Sequence, residues 1–193
     1  VQKSWFGFDH FYSDHSFDEA LEIVFSKHTR RLMDVGGNTG RFALRCVDYA
    51  PDVNVTIVDL PGQIGMMKKN IEGKNGAERI SAFPMNVLDE RNSFPEGEWD
   101  AIWMSQFLDC FSEDEIFSIL SRAAKVMSKN TTLYIMETFW NRQKYEPASL
   151  CLTMTSVYFT VIANGNSKMY HSDDMIRQVE RAGLEVRAVY DGI

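Results

Sequence analysis

The run Leu32-Met33-Asp34-Val35-Gly36-Gly37-Asn38-Thr39-Gly40 constrains this chain more than any other part of it. A short apolar stretch breaks into a glycine-rich turn, and helical spacing follows. A second apolar stretch, Val55-Thr56-Ile57-Val58, ends in Asp59, nineteen residues beyond Gly40. A strand, a glycine turn and an acid at the tip of the next strand are the parts of a nucleoside-binding α/β site. Glycines let the backbone turn sharply and approach a ligand closely, because they carry no Cβ. A carboxylate can accept hydrogen bonds from both hydroxyls of a ribose. The competing reading is a tight strand–helix turn that binds nothing.

The type of turn decides the ligand. A dinucleotide fold uses G-x-G-x-x-G, with the third glycine packing the helix on the sheet. From Gly36, Asn38 and Arg41 occupy the second and third glycine positions; from Gly37, Thr39 and Phe42 do. Both registers fail, which disfavours a nicotinamide oxidoreductase. The segment is similar instead to acid-x-Gly-x-small-x-Gly, the loop of S-adenosylmethionine-dependent methyltransferases. Asn38 stands for the middle glycine, and Asn tolerates positive φ better than other side chains.

The 193 residues suit one domain with a sizeable core. No apolar run approaches the roughly 18 residues of a membrane span. Lys3, Asp9 and Asp14 among aromatics do not make a signal peptide. Cys46, Cys110 and Cys151 are odd in number and lack metal-ligand spacing, so reduced thiols in a cytoplasmic protein are expected, without a metal. The net charge of −7 argues against nucleic acid and anionic membranes as partners, because phosphate binding rests on Lys and Arg. His10, His15, His28 and His171 are scattered, so a metal site among them is not expected. The dense aromatics Trp5, Phe6, Phe8, Phe11 and Tyr12 should pack on the domain or a partner.

Hydrophobic spacing predicts helices over Ser16–Lys27, Gly40–Tyr49, Pro61–Ile71, Ser112–Ser128, Leu150–Ile162 and Asp173–Ala182, the last capped by Ser172. Ser112-Glu113-Asp114-Glu115 is a capping box. Strands are predicted at Arg31–Val35, Val53–Asp59, Arg79–Phe83, Asp100–Met104, Thr132–Thr138 and Leu184–Tyr190. The alternation implies an α/β fold, a mostly parallel sheet with helices on both faces. Ligands bind such sheets beyond the carboxyl ends of the strands. Asp34, Asp59, Asn86, Ser105 and Glu137 all fall there.

Nearly the whole chain resembles the small-molecule O-methyltransferases typified by plant caffeic acid and flavonoid enzymes and their bacterial relatives. The resemblance starts at Ser13-Asp14-His15-Ser16 and runs through the glycine loop. Its most telling piece is Asp59-Leu60-Pro61. It continues through Arg79-Ile80, Met85-Asn86-Val87-Leu88 (where the family has Gly-Asp-Met-Phe) and Trp99 to Met104. The resemblance implies a Rossmann-like class I methyltransferase sandwich binding S-adenosylmethionine, with S-adenosylhomocysteine as product. Asp59 would hold the ribose, and Asn86 would stand where an Asp meets the adenine amine. Leu60 and Val87 would flank the adenine. Asp34, Gly36, Gly37, Asn38 and Gly40 would form the loop facing the methionine portion, with Ser16 a further candidate.

The departures from the family concern chemistry. After strand four the family has a Lys, and four residues later a catalytic His followed by Asp-Trp. Here Ser105 takes the Lys position, and Asp109-Cys110-Phe111 replaces His-Asp-Trp. Of two acids that flank the His, the first falls on Glu137 and is kept; the second falls on Met169 and is lost. Methyl transfer needs positioning, and a base where the acceptor must lose a proton. An exposed Asp is a poor base for a phenol, but burial and a neighbouring acid raise it. Three readings stand: Asp109 is the base, coupled to Glu137; positioning suffices for an acidic or carbon acceptor; or the chain is a non-catalytic cofactor-binding or dimerising module. Asp109 could equally be a loop acid at a helix start, and Glu137 a structural strand-end carboxylate.

Residues 1–193 are thus expected to form one S-adenosylmethionine-binding domain with a helical lead-in over 1–30. The acceptor is expected to be a small molecule with a hydroxyl on an aromatic or polyketide-like skeleton. In the family an N-terminal helical domain makes a homodimer and a further antiparallel strand closes the sheet; both are expected to lie outside this sequence.

Overall fold

The computed structural model describes residues 14–162 and 165–192. In chain order its elements are α1 (Phe17–Val24), β1 (Arg31–Val35), α2 (Arg41–Tyr49), β2 (Asn54–Asp59), α3 (Pro61–Ile71), β3 (Ile80–Pro84), β4 (Ala101–Ser105), α4 (Glu113–Lys125), β5 (Thr132–Met136), α5 (Glu146–Ile162) and α6 (Ser172–Arg181). The five strands pair in the order β3-β2-β1-β4-β5, all parallel. The sheet is therefore the α/β arrangement that the alternating pattern implies.

Side chains alternate across this sheet with a period of two, so it divides two cores. Leu32, Val55, Ile57, Ala101 and Trp103 point to one face, where α1, α2 and α3 cover them; Phe42 of α2 stacks on Trp103 at 4.5 Å. Met33, Val35, Val58, Ile102 and Met104 point to the other, under Ile116, Ile119 and Leu120 of α4 and Met175 of α6. Asp100 ties the two halves at the amino ends of the strands: its Oδ2 accepts from the Arg30 and Arg31 backbone N–H groups at 2.8 and 2.9 Å. The chain leaves β1 towards β2 on one side, while β4 fills the other. That is the switch point, where a crevice opens beyond the carboxyl ends.

Local chemistry explains the helix starts. Ser112 accepts from the Glu115 N–H while the Glu115 carboxylate accepts from the Ser112 N–H at 2.8 Å, the reciprocal cap expected for α4. Pro61 occupies the first turn of α3, where its missing N–H is not needed.

Four expectations need correction. Residues 184–190 form no strand; they run irregularly and mostly exposed, joined by the ion pair of Arg142 with Asp191. Apolar alternation supplies no ladder partner, and none pairs with this stretch among the described residues. The N-cap of α6 is His171, whose Nδ1 accepts from the Asp173 N–H at 3.2 Å; Ser172 is already helical, and its hydroxyl accepts from Asn141. Helix α5 starts four residues before the expected Leu150, and α1 is shorter than Ser16–Lys27. The aromatics Trp5 to Tyr12 lie outside the described residues.

Candidate active site

The loop between β1 and α2 forms one wall of a cleft at the switch point. Its lining includes Asp34, Gly36, Gly37, Asn38 and, from the end of β4, Ser105. Gly36 has φ +78°, and an added Cβ would lie 2.3 Å from Cδ2 of Phe107, so glycine is required on both counts. At Gly37 it is space that matters: a Cβ would meet Asp34 Oδ2 and Ile57 Cγ2, both at 2.8 Å. Asn38 adopts φ 49°, the left-handed conformation that its place in the motif demands. Gly40 precedes α2 directly.

Asp59 locks this loop to the tip of β2. Its Oδ2 accepts from the Asn38 N–H at 2.9 Å and its Oδ1 from the Leu60 N–H at 2.7 Å. Burial raises the Asp59 carboxyl above its ordinary value, and these two backbone donors oppose the rise. Each oxygen keeps a lone pair for a further donor. Helix α3 braces the same loop: Gln63 donates to Asn38 Oδ1 at 3.2 Å, and Asn70 donates to the Thr39 carbonyl at 2.7 Å.

Asp34 is the unusual group. It is 2% exposed, and its Oδ2 has no hydrogen-bond partner. Burial, and after it the charge of Asp59, pushes this carboxyl up to about 7. A buried acceptor left without a donor costs about 1–3 kcal/mol. Such an orphan facing a cleft calls for a cationic or donating ligand.

The loop after β3 carries the next two expected residues. Asn86 is exposed, and its Oδ1 accepts from the Leu88 N–H at 3.1 Å. One lone pair of that oxygen and the side-chain N–H2 remain for a ligand. Leu60, directly after Asp59, is 48% exposed, as a ring-flanking residue must be. The Val87 side chain is buried with Met85 and Phe94, and its carbonyl accepts from Arg122 of α4. Arg122 also donates to the Asn92 carbonyl at 3.1 Å, so one buried guanidinium fixes this whole loop.

Glu137 follows β5, and its Oε1 accepts from the backbone N–H groups of Phe107 and Leu108 at 3.0 and 2.8 Å. Its Oε2 is out of contact with solvent and has no partner. Burial first, and then the charge of Asp109, raise the Glu137 carboxyl well above its ordinary value. Asp109 is half-buried in the short helical turn Leu108–Cys110, and its carbonyl accepts from the Lys168 N–H at 2.9 Å. The structure thus brings Asp109 and Glu137 within electrostatic reach of each other, on the loop that also carries Phe107 over Gly36. Met169 is held elsewhere, its N–H donating to Ser156 of α5. Ser16 starts α1 next to Phe17, which lines the cleft. His171 caps α6 and meets Trp140 edge-on at 5.1 Å.

Sequence reasoning missed Arg41 and Gln106, which also line the cleft. Gln106 has φ 46°, a strained conformation for a residue with a side chain. A larger concavity, about 330 Å³, opens between Ser112, Asp114, Gly165 and Lys168. None of the strand-end carboxylates lines it, so the smaller cleft of about 80 Å³ is the candidate site.

A parallel sheet with a glycine turn at its switch point and an acid at the tip of the next strand defines a Rossmann-like α/β fold with a nucleoside-binding crevice. The chain matches the O-methyltransferase domain over residues 13–183 and belongs to that family. It is 30% identical to norreticuline-7-O-methyltransferase of Papaver somniferum, over 75% of this chain and 37% of that protein. It is 26% identical to the O-methyltransferase SfmM3 of Streptomyces lavendulae, over 89% of this chain and 51% of that one. The fold superposes on human N-acetylserotonin methyltransferase in complex with SAM with a TM-score of 0.72 and 16% identity, over 87% of this chain and 46% of that one. The chain spans about a third to a half of the length of the curated relatives it matches.

Proposed function

We propose that this domain binds S-adenosylmethionine and directs its methyl group to a small-molecule acceptor, a hydroxyl on an aromatic or polyketide-like compound. The observation that carries the reading is the pair of acids at the glycine turn. Asp59 keeps two lone pairs suited to ribose hydroxyls, and Asp34 keeps a buried oxygen without a donor. The residues present therefore fit the cofactor. When bound, it supplies an electrophilic methyl on a positively charged sulfur. Asp59 would hold the ribose, and Leu60 and Asn86 the adenine. The turn Gly36–Gly40, with Asp34, Ser16 and Ser105, would hold the amino-acid end.

The chain's part in the chemistry is to position the acceptor and take its proton. Glu137, whose carboxyl burial raises well above its ordinary value, fixes the loop through the Phe107 and Leu108 amides. Asp109, on the same loop and within electrostatic reach of Glu137, serves as base for the acceptor hydroxyl. A cytoplasmic setting goes with this reading, because none of Cys46, Cys110 and Cys151 is bridged. So does a homodimer in the longer protein, for which Leu150, Met154, Val157 and Val161 offer exposed apolar surface on α5. No helix among the described residues is long and apolar enough to cross a membrane.

Calorimetric titration with S-adenosylmethionine, S-adenosylhomocysteine and NAD tests the cofactor. Micromolar binding of both adenosyl ligands without NAD is expected; a folded sample that binds neither adenosyl ligand overturns the reading. For the base, Asp109→Asn should lose most turnover on an accepted acceptor, and full turnover would remove Asp109 from that role.

A further inference from the structure

Gln106 combines a strained backbone with an unengaged polar side chain at the edge of the cleft. It directly follows β4 and has φ 46°, a left-handed conformation that glycine adopts freely and a side chain resists. The Gln106 N–H still extends the sheet, donating to the Met136 carbonyl at 2.9 Å. The next two N–H groups, of Phe107 and Leu108, leave the ladder and converge on Glu137 Oε1 at 3.0 and 2.8 Å. Successive amides at a left-handed turn form such an anion-binding concavity. Nothing in that arrangement uses a side chain at position 106, and glycine would make the turn with less strain. The residue is nevertheless a half-buried glutamine that lines the cleft, and its carboxamide makes no hydrogen bond among the described residues. Strain retained at the rim of a site marks a side chain kept for a ligand.

Its neighbours indicate which ligand. Ser105, just before it, lines the cleft together with the glycine turn. Asp109, three residues after it, lies within electrostatic reach of Glu137. Gln106 therefore stands between the cleft for the cofactor and the loop that takes the proton. We propose that Gln106 contacts the acceptor, its side-chain N–H2 donating to the acceptor hydroxyl oxygen while Asp109 takes the hydroxyl proton. The inference rests on the proposed function and adds a specificity-determining residue to the same site. An ordinary Asp is a weak base for a phenol, so a donor on the oxygen has more to contribute. It stabilises the charge that gathers there as the proton leaves. A neutral amide does this without pairing to Asp109, as a cation would. It also selects for oxygen, because an acceptor without one leaves the amide unpaired.

The test uses 2-naphthol, a plain aromatic hydroxyl, as probe. It is titrated by fluorescence into the chain saturated with S-adenosylhomocysteine, for wild type, Gln106→Leu and Gln106→Gly. Affinity for S-adenosylhomocysteine is measured by calorimetry, and each thermal transition is recorded. The two variants differ in bulk and backbone freedom and share only the loss of the carboxamide. Both should bind 2-naphthol about fivefold more weakly or worse, the loss of one hydrogen bond, with S-adenosylhomocysteine affinity within about twofold of wild type. Gln106→Gly should also melt higher than wild type, since the left-handed turn is then unstrained. Unchanged 2-naphthol affinity in either variant overturns the contact, as does an equal loss of affinity for both ligands. So does a loaded wild-type chain that does not bind 2-naphthol. A wild-type chain that does not bind S-adenosylhomocysteine overturns the cofactor reading instead.

Discussion

Replacing Asp34 by Asn should change the pH dependence of stability in a defined way. Burial, with the Asp59 charge behind it, moves the Asp34 carboxyl from 3.8 to about 7 on folding. A carboxyl raised in the folded state binds protons more tightly there than in the unfolded chain. Stability is therefore highest below the unfolded value and falls as pH rises through the folded one. Three pKa units at about 1.36 kcal/mol each come to roughly 4 kcal/mol once the pH is well above 7. Linkage places about 2 kcal/mol of that loss between a pH of about 5.5 and about 8. Asn keeps the shape and removes the charge, but brings an N–H2 group that needs an acceptor, an opposing cost of about 1–3 kcal/mol at any pH. Urea unfolding of both proteins at the two pH values isolates the titration, because the amide term cancels. Relative to wild type, Asp34→Asn should gain about 2 kcal/mol on going from the lower pH to the higher. A difference that stays flat would mean that Asp34 titrates like an exposed acid, and the argument from its orphaned oxygen would fail with it.

Other outcomes follow from the same geometry. S-adenosylmethionine affinity should rise with pH and level off above about 7, because Asp34 must ionise to receive an ammonium; a flat profile in calorimetry would contradict that pairing. Glu137→Ala should cost about 3 kcal/mol, since the Phe107 and Leu108 amides lose their acceptor, whereas Glu137→Gln keeps an acceptor oxygen and should cost under about 1 kcal/mol. Because the Glu137 value is raised, wild-type stability should fall as pH rises above its unfolded value, and Glu137→Gln should lack that component; equal damage from Gln and Ala would show that the charged form is needed. Gly36→Ala should destabilise by about 1–3 kcal/mol through its left-handed φ and the Phe107 ring. Adding Phe107→Ala should recover the steric share in a double-mutant cycle, and strict additivity would rule the contact out.

The central strands and the glycine turn were legible because their signals are local. Leu32 to Val35 alternates between two cores, and the turn residues have backbone conformations that few side chains accept. The α4 cap was legible for the same reason, with both partners three residues apart. What failed depended on distant partners. Residues 184–190 alternate like a strand, but a strand exists only where a neighbour completes its ladder. His171 caps α6 through a ring nitrogen, outside the usual capping set of Ser, Thr, Asp and Asn. Gln106, which lines the cleft at the end of β4, gave no sign of its positive φ.

The strand order also says when the domain can form during synthesis. The central strand β1 is made first, yet one of its neighbours, β4, follows only after β2 and β3. The latch between Asp100 and the Arg31 amide spans 69 residues. Until that segment leaves the ribosome, β1 has an open edge, and Met33 and Val35 lack the α4 residues that bury them. Pairing across such separations is slow and leaves sticky surface uncovered while it waits. A nascent chain stopped before Asp100 should therefore be a strong chaperone client, and a chain that has passed the end of α4 a weak one.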